Sequence, residues 1–318
     1  MRWVASSVRK RAGAGQGTLL PGMLLAVLGA VFFSGKAIIV KLAYRYGADA
    51  VTLIMLRMAF ALPAFLAIAW WTSRPRKGVA VVPISRRDAL GILGLGASGY
   101  YLASYLDFAG LAYISASLER LILYLNPTLV LALGVLLGRK VGRNQALGMA
   151  ISYGGVLLVF GYEISLVGSH VALGSVLVFL SAVSYALYLA YSGEMVRKFG
   201  SLRLVGLATS VACLLCIAHF ALTRPWSLLG TLAPEVIWLS LLNAAICTVV
   251  PVLLVMLAIE RLGSTLAAQM GMVGPMSTIL MGTFILGEPF NVWVLGGTVL
   301  VLAGVWVCTR QPPTASAE

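Results

Sequence analysis

Ten apolar runs, most of them about twenty residues long, constrain this chain more than any motif within it. At 1.5 Å rise per residue, about twenty residues cross a hydrocarbon core of roughly 30 Å. A backbone in lipid must satisfy its own hydrogen bonds, and runs this long and this uniformly apolar do so as helices. The spacing predicts spans near 18–43, 50–71, 88–110, 113–138, 143–161, 171–192, 203–222, 235–258, 263–286 and 291–309. Arg2, Arg9, Lys10 and Arg11 ahead of the first run resemble the start of a signal peptide, but the run is too long for one and reads as the first span. Only 10% of residues are charged and 60% are hydrophobic, where a soluble domain carries about a quarter charged. The expectation is an all-α integral membrane protein of the plasma or inner membrane.

The net charge of +13 would suit nucleic acid or acidic lipid if it lay on one face, but it falls in alternate loops, and nucleic acid is not an expected partner. The basic residues cluster in the N-terminal tail, the 72–87, 139–143 and 193–203 loops, Arg261 and Arg310. The opposite side has Arg45, Arg224 and Lys41 at a helix end. Lys and Arg are retained on the cytoplasmic side, so both termini are expected there. Cys213, Cys216, Cys247 and Cys308 all lie in apolar runs without ligand partners and read as small core residues, with no metal site and no cofactor.

A shift of about 148 to 152 residues places Gly22, Ala30 and Ser34 on Gly174, Ala182 and Ala186, Pro127 on Pro275, and Gly148 on Gly296. The chain therefore reads as a basic tail (1–17), a five-helix repeat (18–161), a second (171–309) and a short tail (310–318). Five is odd, so the second repeat enters the membrane from the other side, and the halves are expected to superpose about an axis in the membrane plane. The ridge Gly22, Ala26, Ala30, Ser34 suits close helix packing.

Each half ends in a helix with a central proline, a short Gly-containing turn and a Gly-rich helix. These stretches read ASLERLILYLNPTLVLALGVLLGRKVGRNQALGMAISYGGVLLVF and GSTLAAQMGMVGPMSTILMGTFILGEPFNVWVLGGTVLVLAGVWV. The pattern, with the turn ILGEPF at Ile285 to Phe290, resembles the EamA-type transporters of the drug/metabolite transporter superfamily. The first-half turn, LLGRKVG, lacks the acidic residue that the family often has there. The resemblance covers essentially the whole chain. It implies a secondary transporter or exporter of small metabolites, and the inverted symmetry suits alternating access. It also implies a cavity lined mainly by spans one, three, four, six, eight and nine, with spans five and ten peripheral.

Charged residues inside the spans mark the candidate site, because such a side chain facing lipid costs between about 2.5 and more than 10 kcal/mol. Lys36, Arg57, Asp107, Glu119 and Arg120 all fall in the outer half by depth. Three are positive and two negative, which suits an anionic or carboxylate-bearing solute such as an amino acid. Their positions in the other repeat hold Tyr188, Ala267 and Ala268 for Lys36, Glu119 and Arg120, so the repeat itself does not demand them. An internal ion-pair network is the plain alternative. Arg57 resembles, in its LRMAF context, a second-span arginine of the family and is expected in a structural ion pair. Glu119 or Asp107 is a candidate carrier of a coupling proton. Adjacent helix positions point about 100° apart, so one of Glu119 and Arg120 is expected to face the cavity and the other a neighbouring helix. Asn126, Asn243 and Gln269 are further binding candidates; Pro127, Pro251 and Pro275 are expected to kink their helices and serve as gates. The expected partners are a small solute and the bilayer, and the sequence carries no signal of oligomeric state.

Rival readings are a channel or structural membrane subunit, and an intramembrane serine protease. Gly96-Ala97-Ser98-Gly99 has the G-x-S-G shape and His219 could serve as base, but four residues among 34 glycines are a weak signal.

Overall fold

The computed structural model describes residues 19–74, 82–136, 138, 141–168, 170–262, 267 and 270–309. Among these, ten apolar helices follow in chain order. They are α1 (Leu19–Tyr44), α2 (Ala50–Thr72), α3 (Arg86–Leu111), α4 (Ala116–Leu136), α5 (Arg143–Val167), α6 (His170–Phe199), α7 (Ser201–Thr223), α8 (Pro234–Leu262), α9 (Gly274–Leu286) and α10 (Val292–Thr309). The first eight are long and apolar enough to cross a membrane; α9 and α10 are shorter. Their outer faces are apolar, with Leu222, Phe284 and Leu136 each more than four-fifths exposed. In water that surface would be unstable; in a bilayer it is the solvated surface.

Local sequence explains where the helices start and break. Asp49 accepts from the Thr52 N–H to start α2, and a reciprocal box of Ser85 and Asp88 starts α3. In α4 the helix stops at Leu123 and resumes at Asn126, because Pro127 has no N–H to donate to the preceding turn. The same interruption falls at Met272 and Val273, ahead of Pro275 at the start of α9. In α8 a wide π-turn at Ala245–Val249 ends two residues before Pro251 and absorbs its missing bond. A second π-turn, Gly96–Leu102, occupies the corresponding stretch of α3, where no proline forces it.

Helix pairing follows the same exchange of halves. Helices α2 and α7, α4 and α9, and α5 and α10 each pack against their own counterpart. The α1–α8 contact becomes α6–α3 when the halves are swapped. Backbones approach closely between α5 and α10, where a Cβ on Gly148 would stand 2.6 Å from the Gly304 carbonyl oxygen and one on Gly304 2.5 Å from that of Gly148. Only glycine allows such an approach. The Gly22 ridge of α1 packs on α8, with a Cβ on Gly22 reaching 2.8 Å from Leu262.

At the end of the bundle away from the N-terminal end of α1, the helices pack tightly. Ala37, Ile38, Val40 and Ala43 of α1 meet Ile54 and Met58 of α2, Phe108 and Leu111 of α3, and Cys213, Cys216 and Phe220 of α7, all buried. The four cysteines are free and buried, and Cys213 rests its sulfur 3.8 Å from that of Met58. Ser98 donates to the Gly94 carbonyl in its own helix, while His219 bonds Tyr101 at 3.1 Å. Among the described residues no hydrogen bond joins the serine and histidine of the protease reading.

Candidate functional site

A cavity of about 510 Å³ begins beneath the packed end and extends toward the end where α1 starts and α8 finishes. From α1 it takes Ala26, Gly29, Ala30, Phe33 and Lys36; from α3, Tyr100, Ala103 and Asp107; from α4, Arg120, Tyr124 and Asn126; from α8, Thr248, Pro251, Val255, Met256 and Ile259. Helices α5 and α10 contribute nothing among its described lining, while α2 and α7 do contribute, through Arg57, Met58, Phe65, Val205 and Thr209. The expected main lining did not include α2 and α7. They enter because they pack against each other across the middle of the bundle, and their facing side chains close one wall.

Lys36 is the centre of the charges. Its ammonium lies 2.5 Å from Asp107 Oδ2 and 3.0 Å from Glu119 Oε1, so one cation from α1 is shared by carboxylates from α3 and α4. Glu119 is fully buried and does not line the cavity; Lys36 and Asp107 do. Arg120, the next residue along α4, points the other way, into the cavity. Its guanidinium donates to Ser34 Oγ at 2.9 Å and lies 5.1 Å from the Phe33 ring and 5.5 Å from that of Tyr124. Ser34 in turn reaches the Gly274 carbonyl at 2.9 Å, and Tyr124 donates to the Gly271 carbonyl at 2.7 Å. The broken regions of α4 and α9 are thus tied together through the cavity wall.

Arg57 departs from expectation. No carboxylate lies within 4 Å of it among the described residues; its Nε donates instead to Thr248 Oγ1 at 2.8 Å, and the guanidinium sits 5.3 Å from the Phe108 ring. The expected ion pair fails because Lys36, nearer to both acids, takes them. Arg57 Nη1 and Arg120 Nε are buried without a hydrogen-bond partner among the described residues. Two cationic side chains, 6% and 5% exposed, thus line one cavity with unused donors.

Of the remaining candidates, Asn126 lines the cavity, its Oδ1 without a hydrogen-bond partner among the described residues. Asn243 is buried outside the lining, and its backbone carbonyl accepts from Thr248. Gln269 lies outside the described residues. Ser34, Thr248 and Tyr185 are cavity or second-layer polar groups that sequence reasoning passed over; only Ser34, on the small-residue ridge, carried a signal.

The turn glutamate, Glu288, lies outside the cavity and performs a separate task. Its Oε1 accepts from the Ala116 N–H at 2.7 Å, and its Oε2 accepts from Ser117 Oγ at 3.0 Å. Glu163 accepts from the N–H and hydroxyl of Ser115, and Lys41 donates to the Ile114 carbonyl at 2.6 Å. A carboxylate at a helix N-terminus satisfies orphan N–H groups and opposes the positive end of the dipole. The second half therefore caps the fourth helix of the first half, at the packed end.

Comparison with known proteins agrees with this architecture. The model of the EamA-like transporter family matches the chain twice, over residues 20–161 and 172–310. The chain is 29% identical over 294 residues to the uncharacterized transporter YcbK of Bacillus subtilis, covering 89% of this chain and 92% of that protein. It is 24% identical over 289 residues to an uncharacterized transporter of Archaeoglobus fulgidus, covering 91% and 97%. A WAT1-related protein of Arabidopsis thaliana is 24% identical over 315 residues, covering 86% and 85%. A crystal structure of a protein sharing 15% identity superposes with a TM-score of 0.58 over 91% of this chain and 96% of that one, and so shares the fold. Matched across both halves, and built from membrane-length apolar helices around an internal cavity, the chain is a multi-pass cell membrane protein that belongs to the EamA-like transporter family of the drug/metabolite transporter superfamily.

Proposed function

We propose that the protein is a secondary transporter that exports a small polar or amphipathic metabolite bearing a carboxylate or similar anionic group, by alternating access. In this reading it has ten spans in two inverted repeats, 18–161 and 171–309, with the tails 1–17 and 310–318 on the cytoplasmic side. The observation that carries it is the pair of buried guanidiniums, Arg57 and Arg120, lining one cavity with no carboxylate within 4 Å among the described residues. A buried cation without a counter-charge is costly, and a solute carboxylate supplies one with charge-assisted hydrogen bonds. The Oδ1 of Asn126, unpartnered among the described residues, offers an acceptor for an N–H of the same solute. Apolar side chains of Met58, Phe65, Val255, Met256 and Ile259 suit the rest of a small amphipathic molecule.

With the charge bias setting the orientation, the cavity faces the cytoplasm and the packed end faces out, which is the state that loads a solute for export. The packed outer end also argues against a continuous pore.

The test has two steps. Untargeted comparison of metabolites inside and outside cells with and without the gene nominates solutes, and anionic ones are then assayed in liposomes holding the purified protein. Saturable flux that is accelerated by the same solute on the far side is the expected result. Flux proportional to concentration without that acceleration indicates a channel, and none with any nominated solute removes the reading.

A further inference from the structure

We propose that Asp107 and Glu119 share one proton, held in place by Lys36, and that this pair is the proton-carrying element of the transport cycle; the proposal rests on reading the chain as a secondary transporter. Three observations lead to it. The first is the charge count: a single ammonium stands 2.5 Å from one carboxylate and 3.0 Å from the other. The second is burial, since Glu119 is fully buried and Lys36 and Asp107 are 5% and 3% exposed. The third is that Asp107 Oδ1 and both Glu119 oxygens accept no hydrogen bond among the described residues, although both acids stand against the same ammonium. Two ionised carboxylates are acceptors only and repel each other; a carboxylic acid beside a carboxylate can donate to it.

The other charged and titratable groups facing the cluster do not replace the proton. Lys41 of α1 donates to the Ile114 carbonyl, Arg57 of α2 to Thr248, and Arg120 of α4 to Ser34, and no arginine nitrogen lies within 4 Å of either acid among the described residues. The Tyr44 hydroxyl of α1 donates to the Phe108 carbonyl.

A proton arriving from cavity water meets Asp107, which lines the cavity, and passes to Glu119, which does not. It neutralises one carboxyl group and leaves the Lys36 ammonium with the other. An anion seated on Arg57 and Arg120 adds negative charge nearby and so favours the bound proton, and by linkage the proton favours the anion. A monoanion leaving with that proton moves no net charge.

Infrared spectroscopy of the purified wild-type protein in lipid nanodiscs tests the sharing directly, without any solute. The expected result is the carbonyl stretch of a protonated carboxyl group at neutral pH, lost in both Glu119→Gln and Asp107→Asn, because each substitution leaves one carboxylate for one ammonium. A wild-type spectrum without that band, or a band that survives in either variant, overturns the proposal. Should the variants not fold, heavy-carbon labelling of glutamate or aspartate carboxyls in the wild type replaces them. A band that moves with both labels supports sharing, and one that moves with neither overturns it. A missing band leaves the transporter reading intact, whereas missing flux in liposomes removes that reading whatever the spectrum.

Discussion

Lys36→Met should leave little folded protein. Methionine is close to lysine in size, but it leaves the Asp107–Glu119 pair, one member of it fully buried, with an uncompensated negative charge in the tightly packed half of the bundle. Removing one partner of a buried ion pair destabilises by about 3–5 kcal/mol, a large part of a typical stability of about 5–15 kcal/mol. The measurement is the yield and thermal unfolding of the variant in detergent, followed by size-exclusion chromatography. The cause is separable from lost packing, because the triple variant Lys36→Met, Asp107→Asn, Glu119→Gln removes every stranded charge. It should recover most of the stability, since buried ion pairs are often replaced by neutral groups without loss. A triple variant as unstable as the single one would point to shape rather than charge.

Arg120→Met should do the opposite. Its guanidinium is buried without a carboxylate partner among the described residues and gives up one hydrogen bond to Ser34 when removed. Relief of a desolvated charge offsets that loss, so the empty variant should be as stable as wild type or more so. The solute, however, loses a charge-assisted hydrogen bond worth about 1.5–3 kcal/mol, which lowers affinity by roughly tenfold to 150-fold. Arg120→Lys keeps the charge but not the planar fork and should fall between them. Unfolding curves with and without solute, beside flux in liposomes, check both halves. A variant that loses stability together with transport would make Arg120 a structural residue.

These two residues also show how far the sequence could be read. Charges within apolar runs had to meet, and estimated depth alone put Lys36, Asp107, Glu119 and Arg120 at one level. The 100° step between neighbours required Glu119 and Arg120 to diverge, but not which would face the cavity. That depends on where α1 lies, and the position of α1 is set by its packing on α8 and α9. Arg57 was misjudged for the same reason, because depth says nothing about which acid stands opposite. The helix breaks were legible at Pro127 and Pro275, where a missing N–H is visible in the sequence. The π-turn of α3 was not, because Gly96 and Gly99 permit it without requiring it. The task of Glu288 was also hidden, since the N-terminus it caps is more than a hundred and seventy positions away.

Alternating access makes a sharper demand on this molecule than any single variant. Under the repeat register of about 148 residues, Met256 and Ile259, which line the cavity in α8, correspond to Phe108 and Leu111 in α3. Both of the latter are fully buried at the packed end. If the halves exchange conformations, Leu111 must line a cavity open to the other side. The direct measurement is the reactivity of Ile259→Cys and Leu111→Cys, each in an otherwise cysteine-free protein, toward a membrane-impermeant thiol reagent applied to one face at a time. The account predicts that Ile259→Cys reacts from the cytoplasmic face, that Leu111→Cys reacts from the outer face, and that a transported solute shifts the two rates in opposite directions. A Leu111→Cys variant that transports normally yet never reacts from outside would contradict it.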